Sequence, residues 1–250
     1  MIKEEFTCTC NGMTICGLVF RPEGENLPIA IISHGFMANY RTTQGYAKWF
    51  AERGYLAFCF DFNGGGLMCK SDKDTTKMTV YTEAEDLQAV LDYAKARPEA
   101  DASSITLMGC SQGGVVSALV AAKLQDEIRN LILFYPALCI PDDARAGKMM
   151  FAKFDPENIP ETFWCGPMKL GRGYAASVLK TDIIEEISAY EGKVLIVHGT
   201  GDRIVSYYYS EKAQATYPNA ALKLIPEGSH GFSKKDDRTA LGYVEEFLVD

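Results

Sequence analysis

Leu107-Met108-Gly109-Cys110-Ser111-Gln112-Gly113-Gly114 is the stretch on which the reading of this chain turns. The strand-like run 104–108 leads into it, and a helical run over 112–124 leads out. Gly-x-Ser-x-Gly at such a junction is a nucleophile elbow. The sharp turn lifts the Ser111 hydroxyl clear of the sheet, and the helix start aims free backbone N–H groups and a positive dipole end at the reacting atom. Glycine is required at 109 and 113 because side chains there would strike the neighbouring strand and helix. Centring the pattern on Cys110 puts Met108 and Gln112 where the glycines belong. The spacing therefore selects Ser111, and Cys110 reads as a small filler beneath the turn.

The surrounding rhythm predicts the rest of the frame. Alternating segments over 3–9 and 13–21 flank Asn11-Gly12, a strong hairpin signal. Buried-strand runs follow at 29–33, 55–60, 130–135, 193–197 and 221–225, with helical spacing at 43–53, 81–96, 207–216 and 239–248. Buried strands alternating with helices imply an α/β fold: a mostly parallel central sheet with an N-terminal hairpin edge and helices on both faces. Between Pro136 and about Ile183 the rhythm breaks, with four prolines, a Met-Phe run at 149–154 and a glycine-rich patch. So long an irregular stretch in a compact domain is usually functional. It divides the chain into a core of 1–136 and 183–250 and an inserted cap, 137–182, over the strand ends where open α/β sheets bind ligands.

Composition narrows the partners. The 250 residues are 47% hydrophobic and 23% charged, ordinary for a globular chain. Lys plus Arg number 25 against 33 Asp plus Glu, a net charge of −8, so a phosphate-neutralising face for nucleic acid is not expected. No apolar run approaches the roughly 20 residues that cross a bilayer, so no membrane association is expected. The opening Met1-Ile2-Lys3-Glu4-Glu5 has no signal-peptide character, which points to the cytoplasm and to most of the eight cysteines being held as thiols. Cys8-Thr9-Cys10 has no second pair to complete a zinc site, so no metal is expected. A homodimer is left open.

A serine hydroxyl needs a base to take its proton, and the base needs a carboxylate to fix its tautomer. Of three histidines, His34 and His198 end strands, whereas His230 lies in Gly228-Ser229-His230-Gly231, after the last strand and before the last helix. That position selects His230. Asp202, in the glycine-rich turn after 193–197, is the expected acid; Asp155 and Asp182 are weaker because neither follows a strand. The order Ser111, Asp202, His230 is that of α/β hydrolases. The oxyanion donors are expected to be the backbone N–H of Gln112 and that of Phe36, in the loop after the first central strand.

With these residues in place, the chain resembles the α/β-hydrolase superfamily over nearly its whole length, and more narrowly the bacterial cinnamoyl (feruloyl) esterases. The features carrying the resemblance are His34-Gly35-Phe36-Met37-Ala38-Asn39, Asp61-Phe62-Asn63-Gly64, Met78-Thr79-Val80 with Glu85-Asp86, Ser111-Gln112-Gly113-Gly114-Val115-Val116, and Asp155-Pro156-Glu157-Asn158-Ile159-Pro160. The resemblance implies hydrolysis of ferulate, caffeate and p-coumarate esters, a small-molecule aromatic ester as substrate, and no cofactor. It also implies phenol-contacting cap residues at Asp143 and Tyr174, with Met150 where the family carries a glutamine. Trp164 is a candidate apolar wall of the pocket. Plain cap packing or a solvated role accounts equally well for Asp143, Tyr174 and Trp164. Two departures stand out: Cys110 and Gly65 replace family histidines. A broad short-chain esterase or monoacylglycerol lipase would use the same triad, with methionines fitted to acyl chains. A non-catalytic binding protein is a remoter alternative.

Overall fold

A computed structural model describes residues 1–249. The chain runs β1 (Ile2–Cys10), β2 (Met13–Arg21), β3 (Leu27–Ser33), α1 (Tyr40–Ala51), β4 (Leu56–Phe60), α2 (Val80–Lys95), β5 (Ala100–Cys110), α3 (Gln112–Lys123) and β6 (Ile128–Phe134). There follow α4 (Ile140–Arg145), β7 (Lys148–Met149), β8 (Ala152–Lys153), β9 (Thr162–Cys165), β10 (Met168–Gly171), α5 (Arg172–Ala176) and α6 (Ile183–Ile187). It closes with β11 (Lys193–Gly199), α7 (Tyr208–Thr216), β12 (Ala220–Ile225) and α8 (Lys234–Val249).

Eight strands form one sheet in the order β1-β2-β4-β3-β5-β6-β11-β12. The β1-β2 hairpin is antiparallel, β2 joins β4 antiparallel, and every other pairing is parallel. This is the α/β-hydrolase architecture the sequence implied. Burial follows position in the sheet. The central runs of β3 and β4 are apolar throughout, while β1 and β12, at the edges, alternate. Successive central residues serve opposite faces. Ile29, Ile31, Leu131 and Leu133 join the apolar layer that includes α2 and α3. Ala30, Ile32, Ile132 and Phe134 join the layer closed by α1 and α8.

Local signals set the helix starts. The Asn39 side chain accepts from the Arg41 N–H ahead of α1, and Thr79 and Thr82 form a reciprocal capping box at α2. Helix α8 begins five residues before the expected 239. Ser233 Oγ accepts from the Asp236 N–H there, and the polar first turn carries no apolar period to read. Strand β5 runs longer than expected and absorbs a register shift between Ile105 and Thr106.

Between β6 and β11 the chain makes two small hairpins, β7-β8 and β9-β10, and three short helices. The inner residues of this segment, among them Met149, Phe163, Leu170 and Tyr174, belong to the same apolar cluster as α3. From β3 the chain steps one way to β4, then returns to place β5 on the other side. That switch opens a crevice at the carboxyl ends of β3 and β5.

Candidate active site

Ser111 sits in that crevice, between β5 and α3, at φ 54° and ψ −121°. Such a backbone costs a non-glycine residue about 1–3 kcal/mol and persists only where its surroundings enforce it. A Cβ on Gly109 would lie 2.1 Å from the Gly113 carbonyl oxygen, and one on Gly113 would lie 2.3 Å from that of His34. The turn is thus as tight as the glycine spacing implied. A Cβ on Gly35 would come within 3.0 Å of the Ser111 Cβ, so the loop after β3 passes directly beside the hydroxyl.

The structure brings Ser111, His230 and Asp202 into one hydrogen-bonded chain. Ser111 Oγ and His230 Nε2 are 2.9 Å apart, and His230 Nδ1 is 2.7 Å from Asp202 Oδ2. The Asp202 side chain is fully buried, yet it accepts four hydrogen bonds: His230 and His198 at Oδ2, and the Ile204 and Val205 N–H groups at Oδ1. Burial alone would raise its pKa; the donors of His198, His230 and Val205 outweigh it and hold the carboxyl well below the usual range. The Phe36 and Gln112 N–H groups donate to no acceptor among the described residues, and both residues line the cavity in front of Ser111.

That cavity encloses about 380 Å³. Asp143, Met150 and Tyr174 line it together with the apolar Ile140, Phe151 and Val205. Asp143 is half-buried; burial raises its carboxyl pKa, against the opposing hydrogen bond from Cys139. Tyr174 is buried, and its ring stacks on Phe36 with centroids 5.4 Å apart. Its hydroxyl donates to Gln112 Oε1 at 2.7 Å, so its proton is not free for a ligand. Trp164 does not line the cavity. Along β9 the side chains alternate, Phe163 and Cys165 inward and Trp164 outward, which leaves Trp164 63% exposed. Phe163 and Cys165 are not among the residues lining the cavity either, so β9 does not supply the expected wall.

Two residues that sequence reasoning gave no role stand behind the site. His198, fully buried at the end of β11, donates from Nε2 to both Asp202 Oδ2 (3.2 Å) and the Val205 carbonyl (3.1 Å), while its Nδ1 accepts from Ser210 Oγ at 2.7 Å. Its place four residues before Asp202 was the available signal. Glu83, equally buried, accepts from Gln112 Nε2 at 2.8 Å. Burial pushes its carboxyl well above the ordinary range. The signal there was periodicity, because position 83 falls on the apolar stripe with Leu87, Val90 and Leu91.

His34, Asp61 and Cys69 also converge, with ligand atoms close enough together to hold a metal ion. Those atoms are committed elsewhere. His34 Nδ1–H donates to the Gly35 carbonyl and Nε2 accepts from the Phe62 N–H. Asp61 accepts from the Tyr40 and Lys70 N–H groups, and burial pushes the Cys69 thiol up to about 12. The triplet fits a structural knot rather than a metal. Cys110 lies beneath the elbow with its thiol also at about 12, too high for a ready thiolate.

The family model described as serine aminopeptidase, S33, matches residues 24–162. The chain is 30% identical over 135 residues to an uncharacterized 31.7 kDa protein in the traX-finO intergenic region of Escherichia coli, covering 53% of this chain and 46% of that protein. It is 29% identical over 106 residues to a putative esterase/lipase 2 of Mycoplasma pneumoniae, covering 42% of this chain and 37% of that one. The match therefore spans less than half the length of these two curated relatives. Among solved structures, Est1E from Butyrivibrio proteoclasticus with ferulic acid bound superposes with a TM-score of 0.89 at 30% identity, covering 98% of this chain and all of that one.

Proposed function

From the premise that the chain belongs to the serine aminopeptidase S33 family of α/β hydrolases and resembles the feruloyl esterases, we propose that it is a serine carboxylesterase acting on hydroxycinnamate esters. The observation that carries the reading is the Ser111–His230–Asp202 hydrogen-bonded chain opening on a largely apolar cavity. Likeness to a fold that holds ferulic acid supports the aromatic acid.

In this reading Ser111 Oγ attacks the ester carbonyl while His230 Nε2 takes its proton. The tetrahedral oxyanion is held by the Phe36 and Gln112 N–H groups, each worth about 3–4 kcal/mol of barrier. Asp202 fixes the His230 tautomer and stabilises the imidazolium. His230 then protonates the departing alcohol, and water releases the acid by the reverse steps. Residues 137–182 act as the cap that shapes the acid pocket. Asp143, a desolvated acceptor on the cavity wall, receives the phenolic hydroxyl. Tyr174 and Phe36 offer stacked rings to the substrate. Met150 and Phe151 on the same cavity favour a second reading, an esterase for aliphatic acyl chains, since methionine adapts to irregular apolar ligands.

The test is kcat/KM on methyl ferulate, methyl caffeate and methyl p-coumarate beside p-nitrophenyl butyrate, a monoacylglycerol and alanine p-nitroanilide. Preference for the hydroxycinnamates is expected, with Ser111→Ala lowering kcat by roughly four to six orders of magnitude. Preference for the aliphatic esters selects the second reading. Turnover of the anilide alone selects a peptidase.

A further inference from the structure

One side chain of the segment between β6 and β11 touches both residues whose backbone N–H groups are the proposed oxyanion donors. Tyr174, buried in α5, stacks its ring on that of Phe36, with centroids 5.4 Å apart and planes 17° from parallel. Its hydroxyl donates to Gln112 Oε1 at 2.7 Å. The Gln112 amide is held at its other end as well, because Nε2 donates to Glu83 Oε2 at 2.8 Å.

Each donor has a reason to need such support. Gln112 opens α3 directly after the strained Ser111, and its N–H has no acceptor among the described residues to fix its direction. A side chain tied at both ends of its amide fixes the residue that carries it. Phe36 lies between two tethered neighbours: the Gly35 carbonyl accepts from His34 Nδ1 at 2.8 Å, and the Met37 N–H donates to the Gly65 carbonyl at 3.2 Å. Residue 36 has no such backbone bond from its own N–H, but its ring is braced on Tyr174. Donors of this kind act only when aligned before the charge develops, and a misplacement of about 1 Å costs roughly 100-fold in rate. Burial favours the neutral form of Glu83, so the chain behind Gln112 brings little negative charge toward the oxyanion.

We propose that Tyr174 is a positioning residue for the oxyanion donors: it braces Phe36 by stacking and Gln112 by a hydrogen bond, so that the two N–H groups converge on one oxygen. The cap then takes part in the chemical step as well as shaping the acid pocket. The Tyr174 hydroxyl serves Gln112, not a phenol of the substrate. The inference rests on the oxyanion assignment within the esterase reading and deepens it.

The test starts from Tyr174→Phe in the full chain, which keeps the ring and removes the hydroxyl. Its kcat is expected to fall about 10- to 100-fold, part of what is lost with a whole oxyanion donor, with KM within about twofold of wild type. The factor should be the same on methyl ferulate, on methyl cinnamate (which has no phenol) and on p-nitrophenyl butyrate. An aryl trifluoromethyl ketone adds Ser111 Oγ at its carbonyl carbon, gives the serine proton to His230 and places an oxyanion between the donors. Its Ki should rise by that same factor. Gln112→Met keeps the backbone N–H and removes both amide contacts, so adding Tyr174→Phe to it should cause no further loss. A loss confined to phenolic esters and read in KM overturns the proposal and makes Tyr174 a substrate contact. Wild-type rates in Tyr174→Phe, or full additivity of the two substitutions, also overturn it. If the wild-type chain turns over no ester, the esterase reading falls, while the ketone's Ki in the same variants still decides whether Tyr174 braces the donors. A ketone that fails to bind the wild-type chain removes the oxyanion site and the brace with it.

Discussion

Asp202 shows how much of this site is arranged at the level of single atoms. A buried carboxylate is costly unless its lone pairs are filled, and four donors fill them. His198 supplies the donor that does not come from His230 or the local turn, so it is a positioning residue for Asp202. Replacing His198 by Ala should lower kcat by about 10–100-fold, the usual worth of a hydrogen bond to a charged group, with KM little changed. With one donor fewer, Asp202 leans harder on the His230 proton. The acid limb of kcat/KM should then move to higher pH, which mere loosening of the fold would not cause. A pH profile coincident with wild type would count against the role. Gly65 is a second atomic-scale arrangement. A Cβ there would lie 2.5 Å from Glu83 Oε1, so the residue standing in place of the family histidine makes room for the buried carboxyl. That exchange was invisible in the sequence, where position 65 stood as a departure without its counterpart.

At the scale of elements, the segment between β6 and β11 divides inward from outward by strand alternation alone. Phe163 is buried and Trp164 is exposed, although both are aromatic and adjacent. Phe163→Ala should cost about 3–4 kcal/mol, read as a fall in denaturant midpoint, while Trp164→Ala should leave both stability and kcat/KM within about twofold of wild type. A large loss of activity in the Trp164 variant would restore it to the pocket. The core strands were legible because their apolar runs are long and punctuated by glycine, and the elbow was legible because its glycines are dictated by close backbone approach. The four strands β7 to β10 were not legible. They span two to four residues each, too few for a period of two to declare itself, and their facing is set by what they pack against. Ser111, Asp202 and His230 could be singled out for the same reason as the core: each follows a strand end, and strand ends can be read. Tyr174 was named only through the family resemblance, and Glu83 and His198 meet the site only through tertiary packing.

Across the whole molecule, buried carboxyls pull stability in opposite directions as pH changes. Burial raises Glu83 well above its ordinary pKa, and burial also raises Asp86 to about 6, against the hydrogen bonds it accepts from Asn63. A raised folded pKa means that the folded state holds the proton where the unfolded state has lost it. Unfolding free energy then falls as pH rises from the ordinary carboxylate range, about 4, through the folded values. Asp202 works the other way: its depressed pKa contributes stability that is present above the ordinary aspartate range and is lost only as pH falls through the depressed value. The melting temperature of the wild-type chain should therefore decline between pH 5 and pH 7.5, roughly the interval above the unperturbed carboxylates. Glu83→Gln keeps an acceptor for the Gln112 amide and removes the titration, so its curve should be flatter over the same interval. Asp86→Asn should flatten only the portion below about pH 6. Three parallel curves would show that neither carboxyl couples to folding. A flattened Glu83→Gln curve with full activity would show that Gln112 needs only an acceptor behind it. A flattened curve with reduced kcat would tie the shape of that buried contact to the Gln112 N–H proposed as an oxyanion donor.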